Sequence, residues 1–298
     1  MKIKVLIENT TDSDLQCEHG LSLYIEYQDK RILLDAGSTE LFAENAAAMG
    51  VDLDTVDMAF LSHGHYDHSG GFGAFVKLNE KAPVYAMECA MAKYASASGG
   101  SLHEIGVPEA VKEVLKDHLV EIDKVTQVAE GITLVPHSTS PDILMQIGEK
   151  TGLYRQAVGS EDAVNCSKAD CKWMPDDFAH EMSLVLETEK GLVVFNSCSH
   201  GGLQNIITEV KKALPGKKIY AYVGGLHMKG RKDGEEICTF TTEEVKALAD
   251  AIRGEEIKIL LTGHCTGEPG YELLEKHLEK GRLMRLCTGT VFELGGES

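Results

Sequence analysis

Four potential metal ligands fall within six residues, His63-Gly64-His65-Tyr66-Asp67-His68, directly after the apolar run Val56–Leu61. In an extended chain, residues two apart project to the same side, so His63 and His65 can reach one cation. Asp67 and His68 follow where Ser69-Gly70-Gly71 turns the chain. Their carboxylate and imidazole can reach a second cation close to the first. Zinc, iron and manganese all accept such mixed nitrogen and oxygen ligation. A solvated polar loop would account for one or two of these residues. It does not account for four, in a chain with only 12 histidines.

The surrounding sequence alternates strand-like and helical patterns, which predicts an α/β protein. Ile3–Ile7, Leu21–Tyr27 and Arg31–Asp35 read as an antiparallel start, and Ser38–Met49 as a helix before the strand Val56–Leu61. Further strands are expected at Val84–Met87, Gly131–Val135, Ser183–Glu187, Leu192–Asn196, Ile219–Val223 and Ile257–Leu261. Helices are expected at Glu109–Lys116, Leu203–Ala213, Thr242–Arg253 and Glu268–Glu279. One domain spanning residues 1–298 accommodates all of this. The stretch 139–179 breaks the rhythm with Gly, Ser, Asp, two cysteines and the sole tryptophan, Trp173, and reads as an insertion or lid.

Bulk properties narrow the partners. A net charge of −18 repels nucleic-acid backbones and anionic membranes, while divalent cations in a cleft can still admit an anionic small molecule. No run of about 20 apolar residues is present, so no spanning helix is expected, and the polar start makes a cytoplasmic location the expectation. Eight scattered cysteines suit a reducing compartment and free thiols. A homodimer is the prior for oligomeric state.

The run His-x-His-x-Asp-His after a strand resembles the signature of the metallo-β-lactamase superfamily. Leu33-Leu34-Asp35-Ala36-Gly37 is similar to that superfamily's early strand ending in Asp-x-Gly, and Thr262-Gly263-His264 to its final Gly-His ligand. The resemblance implies a four-layer αβ/βα sandwich with two mixed β-sheets and metals at the edge between them. It implies Asp35 supporting the metal loop and His264 as a ligand. Two usual elements are missing: a Gly-His-Thr-Pro-Gly-like segment, and a strand ending in Gly-Asp. Cys198, in Ser197-Cys198-Ser199-His200-Gly201-Gly202, stands where the aspartate is expected. Together with Gly224-Gly225-Leu226-His227 and Gly263-His264-Cys265-Thr266-Gly267, this resembles the subgroup named for dihydropterin-methyl-(ribofuranosyl)aminobenzene phosphate synthase. Many of its members are metal-dependent hydrolases.

These readings assign His63, His65 and His200 to one divalent metal and Asp67, His68 and His264 to another, with zinc first and manganese or iron as alternatives. Cys198 is either a thiolate ligand or a small buried strand-end residue. His227 is placed on the substrate side, as a phosphate contact or general acid, and Cys265 is a neighbour. His180-Glu181 is a substitute ligand or an exposed polar pair. Cys166, Asp170 and Cys171 form half a zinc knuckle with no second half. His19, His103, His118, His137 and His277 lack ligand spacing and are taken as surface or core residues. Ser98-Gly99-Gly100-Ser101 is a plain connection, and specificity is expected in the insertion and the loop Met228–Phe240. The expected reaction is hydrolysis of a small anionic ester, thioester, lactone or phosphodiester by metal-activated hydroxide, with Asp67 as ligand and proton acceptor. The alternatives are synthase-type phosphoribosyl condensation, a mononuclear iron dioxygenase, and a non-catalytic metal sensor.

Overall fold

A computed structural model describes residues 1–157 and 173–294. The first half of the chain contains β1 (Lys2–Ile7), β2 (Ser22–Tyr27), β3 (Lys30–Leu34), α1 (Leu41–Ala48), β4 (Met58–Phe60), α2 (Tyr66–Ser69), α3 (Phe72–Leu78), β5 (Val84–Met87), β6 (Tyr94–Ser96) and β7 (His103–Glu104). Next come α4 (Glu109–Leu115), β8 (Leu119–Ile122), β9 (Thr126–Ala129), β10 (Ile132–Pro136), α5 (Pro141–Thr151), β11 (Leu153–Gln156) and β12 (Trp173–Pro175). The second half adds β13 (Met182–Thr188), β14 (Gly191–Phe195), α6 (Leu203–Ala213), β15 (Ile219–Val223), β16 (Lys229–Lys232) and β17 (Glu235–Cys238). It ends with α7 (Thr242–Gly254), β18 (Ile259–Thr262), α8 (Gly267–Glu275), β19 (Leu283–Arg285) and β20 (Val291–Glu293).

Two seven-stranded mixed sheets, β20-β1-β2-β3-β4-β5-β8 and β19-β18-β15-β14-β13-β10-β9, face one another across the main core. The period-two rule explains the layering. Along β13, Leu184 and Leu186 enter the core shared by both sheets, whereas Val185 turns outward to a second core with Ile206 and Val210 of α6 and Val245 and Ile252 of α7. Phe42 of α1 and Phe72 and Phe75 of α3 pack with the first sheet. This is the metallo-β-lactamase fold that the resemblance implied.

Several expected boundaries shift. The helix expected from Ser38 begins at Leu41, and the last expected helix runs Gly267–Glu275 and stops short of Glu279. Within the stretch 139–179, α5, β11 and β12 are ordered, and β11 and β12 join β6 and β7 in a small four-stranded sheet. The rest of that stretch, with Cys166, Asp170 and Cys171, lies outside the described residues. Met228–Phe240 is a hairpin rather than a loop. Asp233-Gly234, at φ of 54° and 87°, makes its turn, and Asp-Gly is the dipeptide this turn type favours. Ser98–Gly100 forms one short helical turn. Among the described residues the six cysteines Cys17, Cys89, Cys198, Cys238, Cys265 and Cys287 are all unpaired, and no helix is long and apolar enough to cross a membrane.

Candidate metal centre

Six strands deliver the candidate groups from their carboxyl ends, the edge where open α/β sheets place ligands. β1 leads to Glu8 and Asn9, β3 to Asp35, β4 to His63 and His65, β14 to Cys198 and His200, β15 to His227, and β18 to His264. The short helix α2 begins after His65 and swings Asp67 and His68 back to the same point. Gly64 is required here because a Cβ would stand 2.2 Å from the Ala90 carbonyl oxygen. Asp35, Ser199, His227 and His264 all have φ between 47° and 58°. Each non-glycine residue in that region costs about 1–2 kcal/mol, and strain of this kind clusters at functional sites.

The ring nitrogens converge on one another. His63 Nε2 lies 3.3 Å from His200 Nε2, His68 Nε2 lies 3.1 Å from His264 Nε2, and Cys198 Sγ lies 3.3 Å from His68 Nε2. Asp67 Oδ2 is 3.6 Å from His68 Nε2, 3.4 Å from His264 Nε2 and 3.3 Å from His19 Nε2. Two ligands at about 2.1 Å from a tetrahedral ion stand roughly 3.4 Å apart, so these spacings fit a shared cation. His65 Nε2 and His200 Nδ1 are buried with no hydrogen-bond partner, a state that costs free energy unless a cation or ligand group pairs with them. His63, His65 and His200 form one mutually close ligand group; His63, His68 and Cys198 form a second; His19, Asp67 and His264 form a third.

Hydrogen bonds fix which nitrogen of each ring stays bare. Asp35 is fully buried and accepts the Ser62 amide and hydroxyl, each at 2.7 Å, and His68 Nδ1–H, also at 2.7 Å. Because Ser62 donates its hydroxyl to Asp35, its oxygen accepts from His63 Nδ1–H at 2.8 Å. Asp35 thus holds both His63 and His68 with Nε2 turned inward, the tautomer control common around metal-binding histidines. His264 is set from the far end of the chain. Glu8 accepts its amide, and the Asn9 side chain contacts both Nδ1 and the carbonyl oxygen at 3.1 Å.

The charge states follow. Burial, then the neighbouring imidazoles, hold His63 and His200 well below the usual histidine range and His65 at about 3. All three are neutral at pH 7, as ligation requires. Burial opposes ionisation of Asp67, yet His68 and His264 outweigh it and keep the carboxyl well below its usual range. Burial likewise disfavours a charged His68, but Asp67 and Asp35 raise it to about 9, so without a cation its Nε2 carries a proton that a bound metal would displace. Burial pushes the Cys198 thiol well up, so a thiolate there calls for a cation.

The structure also sorts the residues left open by sequence. His180 and Glu181 are fully buried rather than exposed. His180 Nδ1 accepts the Gly64 amide at 2.9 Å and its Nε2–H donates to Asp176 at 3.0 Å, so both nitrogens are engaged within the protein, although His65, Asp176 and His180 also form a mutually close ligand group. Glu181 instead accepts the backbone amides of His200 and Gly201 at 2.9 and 3.1 Å. His137, which shows no ligand spacing, is clamped between Glu181 at 2.7 Å and Glu209 at 2.8 Å. Gly201 leaves room for that ring, since a Cβ there would meet His137 Cε1 at 2.2 Å. His19, expected to be surface or core, has a half-exposed side chain, but its ring stacks on His264 at 5.3 Å and it lines the cavity mouth. His227 lies 4.4 Å from the His200 ring, centroid to centroid, with Nδ1 buried and unpartnered. Cys265 contacts the Cys198 carbonyl and the His227 amide.

A cavity of about 1000 Å³ opens above these groups and includes Asp67, Cys198, His200, His227 and His264 in its wall. Lys229 and Arg231 of β16 stand at its mouth.

Residues 15–152 match the family profile described as the metallo-beta-lactamase superfamily. The chain is 27% identical over 283 residues to 7,8-dihydropterin-6-methyl-4-(beta-D-ribofuranosyl)-aminobenzene-5'-phosphate synthase of Methanocaldococcus jannaschii, covering 90% of this chain and 88% of that protein. Its structure superposes on Tm1679, described as a metal-dependent hydrolase of the beta-lactamase superfamily, with a TM-score of 0.77 and 24% identity over 99% of this chain and 100% of the other. The metallo-beta-lactamase fold protein YhfI of Bacillus subtilis superposes with a TM-score of 0.56 and 12% identity, covering 98% of each chain.

Proposed function

We propose that this chain, whose residues 15–152 match the metallo-beta-lactamase superfamily profile, is a metal-dependent hydrolase of a small anionic ester, with phosphodiesters the first class to test. The observation that carries this reading is the set of imidazole nitrogens facing one another at 3.1–3.3 Å around Asp67 and Cys198. His63, His65 and His200 would hold one divalent ion, and Asp67, His68, His264 and Cys198 a second. The nitrogen and sulfur donors favour zinc. When bound, such ions polarise a substrate oxygen and acidify water near neutral pH.

The chain's own residues do the rest. Asp35 and Ser62 fix the tautomers of His63 and His68. Asp67, held ionised by three histidines, is a weak base, which favours its ligand role over that of proton acceptor. Lys229 pairs with Glu236 at 2.9 Å, whereas Arg231 makes no ion pair among the described residues and gives the cavity wall of an otherwise acidic molecule a positive charge for an anionic substrate. His227, beside His200, is positioned to donate a proton to a leaving group.

Hydrolysis of bis(p-nitrophenyl) phosphate by zinc-, manganese- or iron-loaded protein tests this, together with metal content by elemental analysis. His63→Ala should lose at least one metal equivalent and at least 100-fold in turnover, the scale expected for losing a catalytic ion. Full retention of both overturns the assignment. A synthase-type condensation is the second reading, favoured by the 27% identity to the archaeal synthase. Consumption of a phosphoribosyl donor by protein that leaves every diester intact would select it.

A further inference from the structure

We propose that the chain carries a second, apolar substrate pocket beside the metal centre, which takes the hydrocarbon arm of an anionic ester whose charged end lies over the histidines. The identity of the charged end rests on the hydrolase reading; the pocket rests on geometry. A cavity of about 490 Å³ lies between α5, α6, α7 and the β16–β17 hairpin. Ile147, Leu203, Leu226, Phe240 and Leu248 form its wall. Its volume is within the roughly 300–1,000 Å³ of small-molecule pockets.

Several of its polar groups are already engaged. The Ser199 hydroxyl bonds the Tyr222 hydroxyl at 2.7 Å and the Gly225 carbonyl at 2.6 Å. The Asn205 amide donates to the Gly201 carbonyl at 2.8 Å. At the rim, Lys150 pairs with Glu244 at 2.6 Å and lies 5.8 Å from the Phe240 ring. Away from His200 and His227, what the pocket offers a ligand is mainly apolar contact. The metal cavity adds further imidazoles, Asp67 and the guanidinium of Arg231.

The two cavities meet at Thr151, His200, His227, Lys229 and Thr239, which line both. His227 stands at the junction in the left-handed backbone region, with its Nδ1 buried and unpartnered. A ligand spanning the junction therefore passes this nitrogen with a polar atom, places an anion over the metal donors, and extends an apolar group between the helices. That is an amphipathic ester, with its anionic part over the metal donors and its hydrocarbon arm in the pocket.

The test uses metal-loaded protein and mixed p-nitrophenyl phosphodiesters whose second ester group runs from methyl to octyl. KM should fall about fourfold per added methylene that enters the pocket, from about 0.8 kcal/mol per buried CH₂. Ala247 lines the pocket from an exposed face of α7, so Ala247→Trp fills it without disturbing the core. This variant should raise the octyl-to-methyl KM ratio at least tenfold. Binding of 1-anilinonaphthalene-8-sulfonate, followed by fluorescence, gives a readout independent of turnover and should weaken at least tenfold in Ala247→Trp. Probe binding that responds to Ala247→Trp, with no diester hydrolysed, keeps the pocket and removes the hydrolase reading. Diesters turned over with no dependence on chain length, or an octyl-to-methyl ratio untouched by Ala247→Trp, overturn the pocket and leave the hydrolase reading standing.

Discussion

Removing His137 should unsettle the protein more than any exposed histidine could, because its ring neutralises two buried carboxylates. Relative exposure of the three side chains is 5% for His137, 1% for Glu181 and 5% for Glu209. Burial opposes a charge on His137, but the hydrogen bonds and charges of Glu181 and Glu209 raise it from 6.5 to about 10. That gap, at about 1.36 kcal/mol per pH unit, sets an upper bound of about 5 kcal/mol. Breaking a buried pair by deleting one partner independently suggests about 3–5 kcal/mol. With an unfolding entropy of about 2.1 cal/mol/K per residue, His137→Ala should lower Tm by roughly 5–8 °C at pH 6. The sign of the pH dependence is fixed. A histidine raised on folding contributes fully below 6.5 and loses its contribution as pH climbs towards 10. Glu181 and Glu209 are lowered despite burial, chiefly by His137, so their contribution appears above the ordinary value of 4.5 and fades as pH falls. The deficit of the variant is therefore greatest between about pH 4.5 and 6.5 and shrinks to about 1 kcal/mol by pH 9.5. Scanning calorimetry of both proteins at pH 6, 7.5 and 9.5 measures it. A drop under about 2 °C at pH 6, or a deficit that stays constant to pH 9.5, refutes the buried-cation argument.

Asp35→Asn replaces a carboxylate that accepts three hydrogen bonds with an amide that must turn a donor toward one of them; metal affinity should fall about 10–100-fold, read by competition with a chromophoric chelator. His180→Ala should leave metal stoichiometry intact while costing about 1–3 kcal/mol, because the Gly64 amide and the buried Asp176 carboxylate lose their partner; loss of a metal equivalent would make His180 a ligand after all. Cobalt-loaded protein should show the near-ultraviolet thiolate-to-cobalt charge-transfer band, and Cys198→Ser should abolish it; a band that survives moves the thiolate ligand to Cys265, the other buried cysteine beside His264.

What could be read from the sequence is what the chain encodes locally. His63, His65, Asp67 and His68 lie on one strand end and one helical turn, so their convergence needs only strand and helix geometry. The apolar runs at Val84–Met87, Ile219–Val223 and Leu203–Ala213 become elements with those very bounds, because a buried period of two or of 3.6 leaves little choice. What holds the ligands in place was not legible in the same way. Glu8 and Asn9 grip His264 across 256 and 255 residues of chain, and His137 reaches Glu209 across 72. No local pattern marks such partners, since each is an ordinary polar residue until the sheets stack. His180 shows the converse. Its neighbour Glu181 and its position before β13 suggest a ligand or an exposed pair; burial rules out the exposed pair, and the engagement of both its nitrogens argues against the ligand. The Asp233-Gly234 dipeptide is a local signal for the hairpin that replaces the loop expected over Met228–Phe240. The strained residues tie these points together. Asp35, Ser199, His227 and His264 follow strand ends in four separate parts of the chain, and each carries a backbone conformation that its own side chain disfavours. Local sequence opposes that geometry at every one of them, so the cost is met by the packed sheets. The site depends on the assembled fold rather than on any motif alone.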